Sequence, residues 1–398
     1  MLRRLLLLLL LVGGAGPLPA PAQIFKLPLP DTTAGNFFGG AVSLSGDLAL
    51  VGASGVDTCG ENAGAAYIYA RNPEKDVWHL QARLTPSDCQ AGHFFGRAVA
   101  LSGRRAAVAA FRPFFSRAQS NAVYVFEQDS LNGEWVETAR LTAETGLEEG
   151  AFGTSVALDS DRLLVTTSGD VADGRYGGAA YVFERRPDSR WVRTARLTGS
   201  GPLHEGIFGT DGALDGDRLV VAASTYFAYR PGSLYVFERD ATTGRWRETA
   251  HLTGLDDFFI TVDLDGDRIL AGESKYGDHD EGRASVFERD AATGRWRRTA
   301  TLRPAQPYRD GAFGAGVALS GDRALVVGYD EQLSFDFNVD RVVFVFAFDP
   351  GTGTWQQTRL LDVGAWAFGA AVDLEGPMAL VGEASEQQPG RAYIIRLP

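Results

Sequence analysis

One phrase recurs seven times along the chain, and that recurrence limits the fold more than any single residue does. It reads FFGGAVSLSGDLALVGAS from Phe37, FFGRAVALSGRRAAVAAF from Phe94, AFGTSVALDSDRLLVTTS from Ala151 and IFGTDGALDGDRLVVAAS from Ile207. It continues as FFITVDLDGDRILAGES from Phe258, AFGAGVALSGDRALVVGY from Ala312 and AFGAAVDLEGPMALVGEA from Ala367. Each copy leads into an alternating run such as AAYIYAR, AAYVFER or RAYIIRL, and six go on to a polar turn and a strand opened by Trp, among them WHLQARLT and WRETAHLT. Alternation with a period of two, broken by short turns, makes four β-strands per copy. The copies are spaced 51 to 57 residues apart, the spacing of propeller blades. The predicted fold is therefore all-β: a seven-bladed propeller of four-stranded blades.

The seventh copy lacks a Trp-led strand, because the sequence reaches Pro398 just after AYIIRL. The segment Ile24 to Asp31, IFKLPLPD, stands directly before the first copy, where the other copies carry QARLTPSD or its relatives. An N-terminal strand is thus expected to complete the last blade, which closes the ring and leaves no open sheet edge between the termini.

The Phe-Gly opening of the first strand and the Val-Gly-Ala-Ser-like end of the second resemble FG-GAP repeats, best known from the propeller heads of integrin α subunits. Bacterial exported FG-GAP repeat proteins, with their SGD turn, GAAYVF strand and Trp strand, are the nearer likeness. The resemblance covers Ile24 to Pro398 and implies the propeller, with adhesion-like recognition as the associated expectation. Two departures stand out. The fifth copy has Phe259-Ile260 in place of Phe-Gly, and the second and third carry Ala109-Ala110 and Thr166-Thr167 in place of Gly-Ala. Strand glycines let neighbouring backbones approach closely, so these blades are expected to pack differently.

Residues 1–22 read as a secretory signal peptide: Arg3 and Arg4 precede an apolar run from Leu5 to Val12, and small residues end at Ala20-Pro21-Ala22. The apolar run falls short of the about 20 residues that span a bilayer. The expected mature protein is the propeller, 23–398, secreted or periplasmic and without membrane insertion. Its net charge of −12, or −14 once Arg3 and Arg4 are removed, repels nucleic acid and anionic lipid. Cys59 and Cys89 are the two cysteines, and export makes a disulfide between them the expectation.

Motifs for chemistry are sparse. Asp263, Asp265 and Asp267 in DLDGDR resemble the start of a calcium loop, but calcium needs six to eight oxygens and a strand follows at once. A tight hairpin turn accounts for the triplet, so no metal and no cofactor is assigned. Two segments, VFERDATTGRW from Val236 and VFERDAATGRW from Val286, resemble the docking phrase of quinoprotein propellers, with the Trp two residues too early. A type I turn with Gly in the left-handed position explains them better. No nucleophile elbow and no H-E-x-x-H motif is present, and His79, His93, His204, His251 and His279 fall in different blades.

The loops are unequal. Those between first and second strands are tight, whereas those between second and third are long and do not repeat: FRPFFSRAQSN, STYFAYRPG, SKYGDHDEG and YDEQLSFDFNVD. They share one face with the blade-to-blade connectors, and function is expected there. Phe111, Arg112, Phe114, Phe115, Tyr226, Phe227, Tyr229, Arg230, Phe335 and Phe337 are candidate contacts, since aromatics and Arg dominate interface energetics. The acids Asp278, Asp280, Glu281, Glu148, Glu149, Glu205, Asp256, Asp257 and Asp310 share the face. The leading expectation is non-catalytic binding of an extracellular protein or glycan. A carboxylate and histidine enzyme built on His279 or His204, hydrolase or lyase, and a structural subunit of a secreted assembly stay open, as do capping of the channel by the aromatics and the oligomeric state.

Overall fold

A computed structural model describes residues 22–110, 121–143, 150–169, 171–172, 175–201, 207–224, 231–255, 260–277, 279–306, 310–330, 340–363 and 368–398. Seven four-stranded antiparallel sheets stand around a central axis. Their inner strands are Phe38–Ser45, Phe95–Ser102, Gly150–Asp159, Ile207–Asp215, Ile260–Asp265, Gly316–Ser320 and Phe368–Glu375. Each contacts the next, and the seventh contacts the first. In blade 1 the sheet continues outward through Leu48–Ala53, Ala65–Asn72 and Val77–Leu84. Because consecutive strands are antiparallel neighbours, the turn after the inner strand and the hairpin before the outer strand emerge at one end of each blade. This end is the turn face. The loops between second and third strands and the connectors between blades emerge at the other, the loop face.

The ring closes as the sequence predicts. Gln23–Lys26 pairs antiparallel with Arg391–Arg396, Ile24 opposite Ile395, and becomes the fourth strand of blade 7. Leu27 continues the contact by donating its N–H to Ala392 O, and its side chain is buried between the two blades. A carboxylate clasps the outside of the seam. Asp76 accepts from Arg71 of its own blade at 2.8 Å and from Arg396 of blade 7 at 2.7 and 2.9 Å, which holds its carboxyl below the usual range.

The Phe-Gly motif has two separable jobs. Phe38, Phe95, Phe152, Phe208 and Phe313 are buried plugs, each tilted or edge-on to an aromatic of the third strand: Tyr67, Tyr124, Tyr181, Tyr235 and Phe344, with ring centroids 5.7, 5.6, 5.6, 5.4 and 5.1 Å apart. Such aromatic pairs add to the burial of their large apolar area. The glycine that follows is left-handed, φ 87° at Gly39 and 94° at Gly96, and the strand register shifts there, between Phe38 and Ala41 and between Phe95 and Ala98. This is a β-bulge that needs glycine. A side chain on Gly52 would strike the carbonyl of Gly96 in the next blade, so adjacent backbones nearly touch there.

Blades without these residues do pack differently. Blade 5 has no Phe-Gly, and the described residues of its inner strand form no bulge: Ile260 to Asp265 pair in unbroken register with Glu273 to Arg268. Ser285 stands where the plug's aromatic partner would be, and Glu273, 0% exposed, accepts from its Oγ at 2.6 Å and from Arg283 at 2.5 Å. A buried polar network has replaced an aromatic pair. In blade 2 the methyl of Ala109 faces the inner glycine of the next blade, Gly153, in place of a glycine-to-glycine approach.

On the turn face the blades are stapled to one another. The last residue of each inner strand accepts a backbone N–H from the turn of the next blade: Ser45 from Gly103, Ser102 from Ser160, Asp159 from Gly216, Asp215 from Gly266, Asp265 from Gly321, Ser320 from Gly376 and Glu375 from Gly46. The seven bonds make a complete ring. Further out, the Arg of VFER reaches the Glu of the preceding blade, Arg185 to Glu127 at 2.7 Å, Arg239 to Glu184 at 2.9 Å and Arg289 to Glu238 at 3.1 Å. The turn aspartates add Arg162 to Asp217 at 3.0 Å and Arg268 to Asp322 at 2.8 Å. In the second copy Arg104 takes the place of the turn aspartate, and the two positions that elsewhere supply its cations hold Leu48 and Gln128. The charges change together, as a structural joint requires.

Candidate binding site

The twin segments belong to this joinery. Asp240 Oδ1 accepts the N–H groups of Thr242 and Thr243 at 3.0 and 2.8 Å, Asp290 does the same for Ala292 and Thr293 at 3.1 and 2.8 Å, and these bonds hold both carboxyls below the usual range. Gly244 and Gly294 then turn the chain at φ 70°. The segment is a self-capped hairpin whose Arg239 or Arg289 joins the neighbouring blade. The aspartate triplet is committed as well: Asp263 accepts from Leu319 N at 2.7 Å, Asp265 from Gly321 N, and Asp267 pairs with Arg218 at 3.0 Å and Arg289 at 3.8 Å. Among the described residues no group of three acidic, His or Cys side chains is placed to share a metal ion.

Around the axis, half-buried Asp211, Asp263 and Asp373 lie on inner strands of blades 4, 5 and 7 and accept backbone N–H groups of the next blade, from Val262, Leu319 and Leu44. Burial raises all three carboxyls; Asp263, which also feels Asp373 and Asp211, is pushed up to about 8. Protein encloses most of each carboxyl, so desolvation prevails over contact with water. Blade 1 has Ser43 at the position of Asp263, and it accepts from Leu101 N at 3.1 Å.

The candidate aromatics and arginines, Phe111, Arg112, Phe114, Phe115, Tyr226, Phe227, Tyr229, Arg230, Phe335 and Phe337, lie outside the described residues. So do Asp278, Glu148, Glu149, Glu205, Asp256, Asp257 and His204. The strands that carry their loops, ending at Ala110, Ser224 and Asp330, finish on the loop face. Asp280 pairs with Lys275 at 3.0 Å, and the backbone of exposed His279 is tied on both sides, its N–H donating to Glu281 Oε2 and its carbonyl accepting from Asp310 N. His93 is buried against Gln90. His251, on the outer strand of blade 4, is half-buried and stacked on Tyr235 with centroids 4.3 Å apart.

The disulfide joins Cys59, in the loop of blade 1, to Cys89, in the connector to blade 2. Asp88 beside it is driven up by burial, but the Tyr124 hydroxyl at 2.5 Å and the Arg140 guanidinium at 2.9 Å outweigh that and hold it low. The pinned loop forms one wall of a cleft of about 550 Å³ on the loop face. The opposite wall is the connector after the closing strand, with Asp31, Thr33 and Phe37, and Arg83 enters from the outer strand. Blade 1 contributes Asp57, Glu61 and Asn62.

Asn36, 1% exposed, locks the cleft together. Its amide donates to Asp31 O, its Oδ1 accepts from Phe38 N and from Gly390 N of blade 7, and its carbonyl accepts from Gly55 N of blade 1. Gly55 must be glycine, because a side chain there would strike Gly35 O and the Phe37 ring. Asp57 Oδ1 accepts from Asn62 N at 2.7 Å, and Asn62 is left-handed at φ 52°. The Thr33 hydroxyl and N–H hold Asp31 low, so it is ionised at neutral pH. Sequence reasoning missed this cleft; its signal is the loop SGVDTCGENAG, which no other copy repeats.

Comparison with known proteins agrees with this architecture. The FG-GAP repeat family model matches residues 22–69, 78–126 and 135–183. No curated protein matches the chain. Among solved structures, the WD40 repeats of RRP9 are similar with a TM-score of 0.59 at 12% identity, over 96% of this chain and 99% of that one. A protein from Lactobacillus plantarum is similar with a TM-score of 0.52 at 15% identity, over 84% and 88%. At such identities the likeness is one of fold.

Proposed function

The protein is an FG-GAP repeat propeller, similar to the heads of integrin α subunits, and on that premise we propose that it is an exported, non-catalytic binding protein that takes an extracellular protein or glycan on its loop face. The observation that carries this reading is the contrast between the faces. Every blade repeats the same staple on the turn face, whereas the loop face differs from blade to blade and holds a pre-formed cleft. Repeated residues serve the ring, and unrepeated ones are available for a partner. The disulfide fits an extracytoplasmic protein, and residues 1–22 have the signature of a signal peptide.

The test uses residues 23–398 on a glycan array and against intact cell surfaces. On the binding reading, replacing Phe114, Phe115, Tyr226 and Tyr229 by Ala is expected to reduce capture at least tenfold while melting stays within about 2 °C of wild type. A turn-face control, T243A with L131S, is expected to bind normally. Capture that survives the loop-face variant and is lost in the turn-face control would reverse the assignment, and a large drop in melting temperature on the loop face would make the aromatics packing residues.

A further inference from the structure

We infer that the cleft between the closing connector and blade 1 is a saccharide-binding site, an inference that rests on the loop face being the binding face and names the ligand class for one part of it. Its volume of about 550 Å³ lies within the range of roughly 300–1,000 Å³ typical of small-ligand sites. The walls decide the chemistry. Asp31, Asp57 and Glu61 supply carboxylates, which repel phosphate and other anions. A lipid or flat apolar ligand would find mostly charged and hydroxyl groups, which are costly to desolvate without hydrogen bonds. Calcium needs six to eight oxygens, and two of the three carboxylates already hold backbone N–H groups, Asp31 that of Thr33 and Asp57 that of Asn62.

Donors are interleaved with these acceptors. Arg83 reaches into the same cleft, bonded to the Thr58 hydroxyl at 2.5 Å, and Asn62 lines it too. A lysine or arginine side chain from a partner would use only the acceptors and would meet the like charge of Arg83. A sugar hydroxyl both donates and accepts, so adjacent hydroxyls of one ring can bridge a carboxylate and a guanidinium or amide at once. Glu61 has no side-chain partner among the described residues, which leaves its carboxylate available. Phe37, half-buried in the wall, offers an apolar ring for the C–H face of a pyranose.

Rigidity supports the assignment. The connector and the loop are fixed by Asn36 to blades 7 and 1, and the loop is fixed a second time by the Cys59–Cys89 bond. Small polar ligands gain little from burial, so a site for them must not spend binding energy on ordering its own loops.

Calorimetric titration and saturation-transfer NMR of residues 23–398 test the inference with D-glucose, D-galactose, D-mannose, N-acetyl-D-glucosamine, cellobiose and maltose, and with Nα-acetyl-argininamide and calcium chloride as competing chemistries. At least one neutral sugar is expected to bind saturably, weakened tenfold or more in D57N/E61Q and in R83Q, with near-ultraviolet circular dichroism confirming that each variant is folded. The aromatic-loop alanine variant is expected to keep that binding. No saturable sugar, sugar binding that survives both cleft variants, or saturable binding of the arginine amide or calcium in place of sugar overturns the assignment. Sugar binding lost only in the cleft variants, beside partner capture that no loop-face variant changes, upholds the cleft while refuting the broader reading of the face.

Discussion

Blades 1 and 5 answer the same packing problem with opposite chemistry. In blade 1 the space between inner and third strands holds Phe38 against Tyr67, with Ala53 and Ala65 beside them; in blade 5 it holds Glu273, Arg283 and Ser285, with Ile260 at the inner strand. Both spaces are closed to water. The aromatic version gains from apolar area, while the ionic version offsets the desolvation of two charges through the bonds that Glu273 accepts from Arg283 and Ser285. Arg283 also lies over the Tyr276 ring at 3.7 Å and donates to Gly254 O at 3.2 Å. The repeat therefore preserves a shape to be filled, and the filling varies.

The most damaging test removes one side of each solution. Phe38→Ala and Glu273→Ala are each expected to cost about 3–5 kcal/mol by denaturant unfolding, the first through a cavity and the second by taking from Arg283 and Ser285 the buried carboxylate that both donate to. A cost below about 1 kcal/mol for Glu273→Ala would mean that water reaches the arginine. Next in size is loss of the Cys59–Cys89 bond, which belongs to blade 1 and has no counterpart in blade 5. Closing a loop with a sequence separation of 30 is worth about 3 to 4 kcal/mol in the chain-entropy model, so C59S/C89S should melt lower by a corresponding amount and should bind the cleft's ligand less well.

A gentler test rewrites blade 5 as blade 1. The triple variant E273A/R283A/S285Y is expected to match wild-type stability or to exceed it by about 1–4 kcal/mol, as when buried ion pairs elsewhere are replaced by packed residues. A less stable triple variant would show that the missing bulge in the inner strand forbids an aromatic there. The smallest effect is one of pH. Asp263 stands at about 8 in the folded protein and near 3.9 when unfolded, so the folded state holds a proton that the unfolded state has released. Stability contributed by that proton is complete below about pH 4 and is lost as pH rises toward 8. Asp263→Ser, blade 1's own choice at this position, should retain the bond to Leu319 N, equal wild type near pH 4 and surpass it at pH 9. Parallel pH profiles for the two proteins would refute the channel's effect on this carboxyl.

The ring was legible because a fold that repeats must repeat its plugs and turns: Phe38 and Phe95 stand at equal places in equal phrases, and Ile24 lies where a missing outer strand should be. The joints were less legible. Ser45, Asp265 and Glu375 perform one task with three side chains, so only the neighbouring blade's N–H reveals that they are equivalent. The triplet at Asp263, Asp265 and Asp267 drew attention as carboxylates in a row, although each turns to a different group of an adjoining blade. The cleft was hidden for a further reason. Asn36 bonds to Gly390, 354 positions away, and Arg83 meets Asp31 only because the closing strand brings the connector back across blade 1. No local pattern in the chain records that meeting.

Closure by the segment Gln23–Lys26 also sets an order of assembly. This strand is synthesised before any blade, yet its partner, Arg391–Arg396, is made only after six blades have emerged. Until then the nascent chain is an open arc whose first and last blades each leave an apolar sheet face uncovered, a state exposed to association with other chains. The Asn36 hub and the Asp76 clasp both need residues from blade 7, so the saccharide cleft cannot exist in a partly made molecule. Ligand competence is thereby a report that the whole circle has been completed.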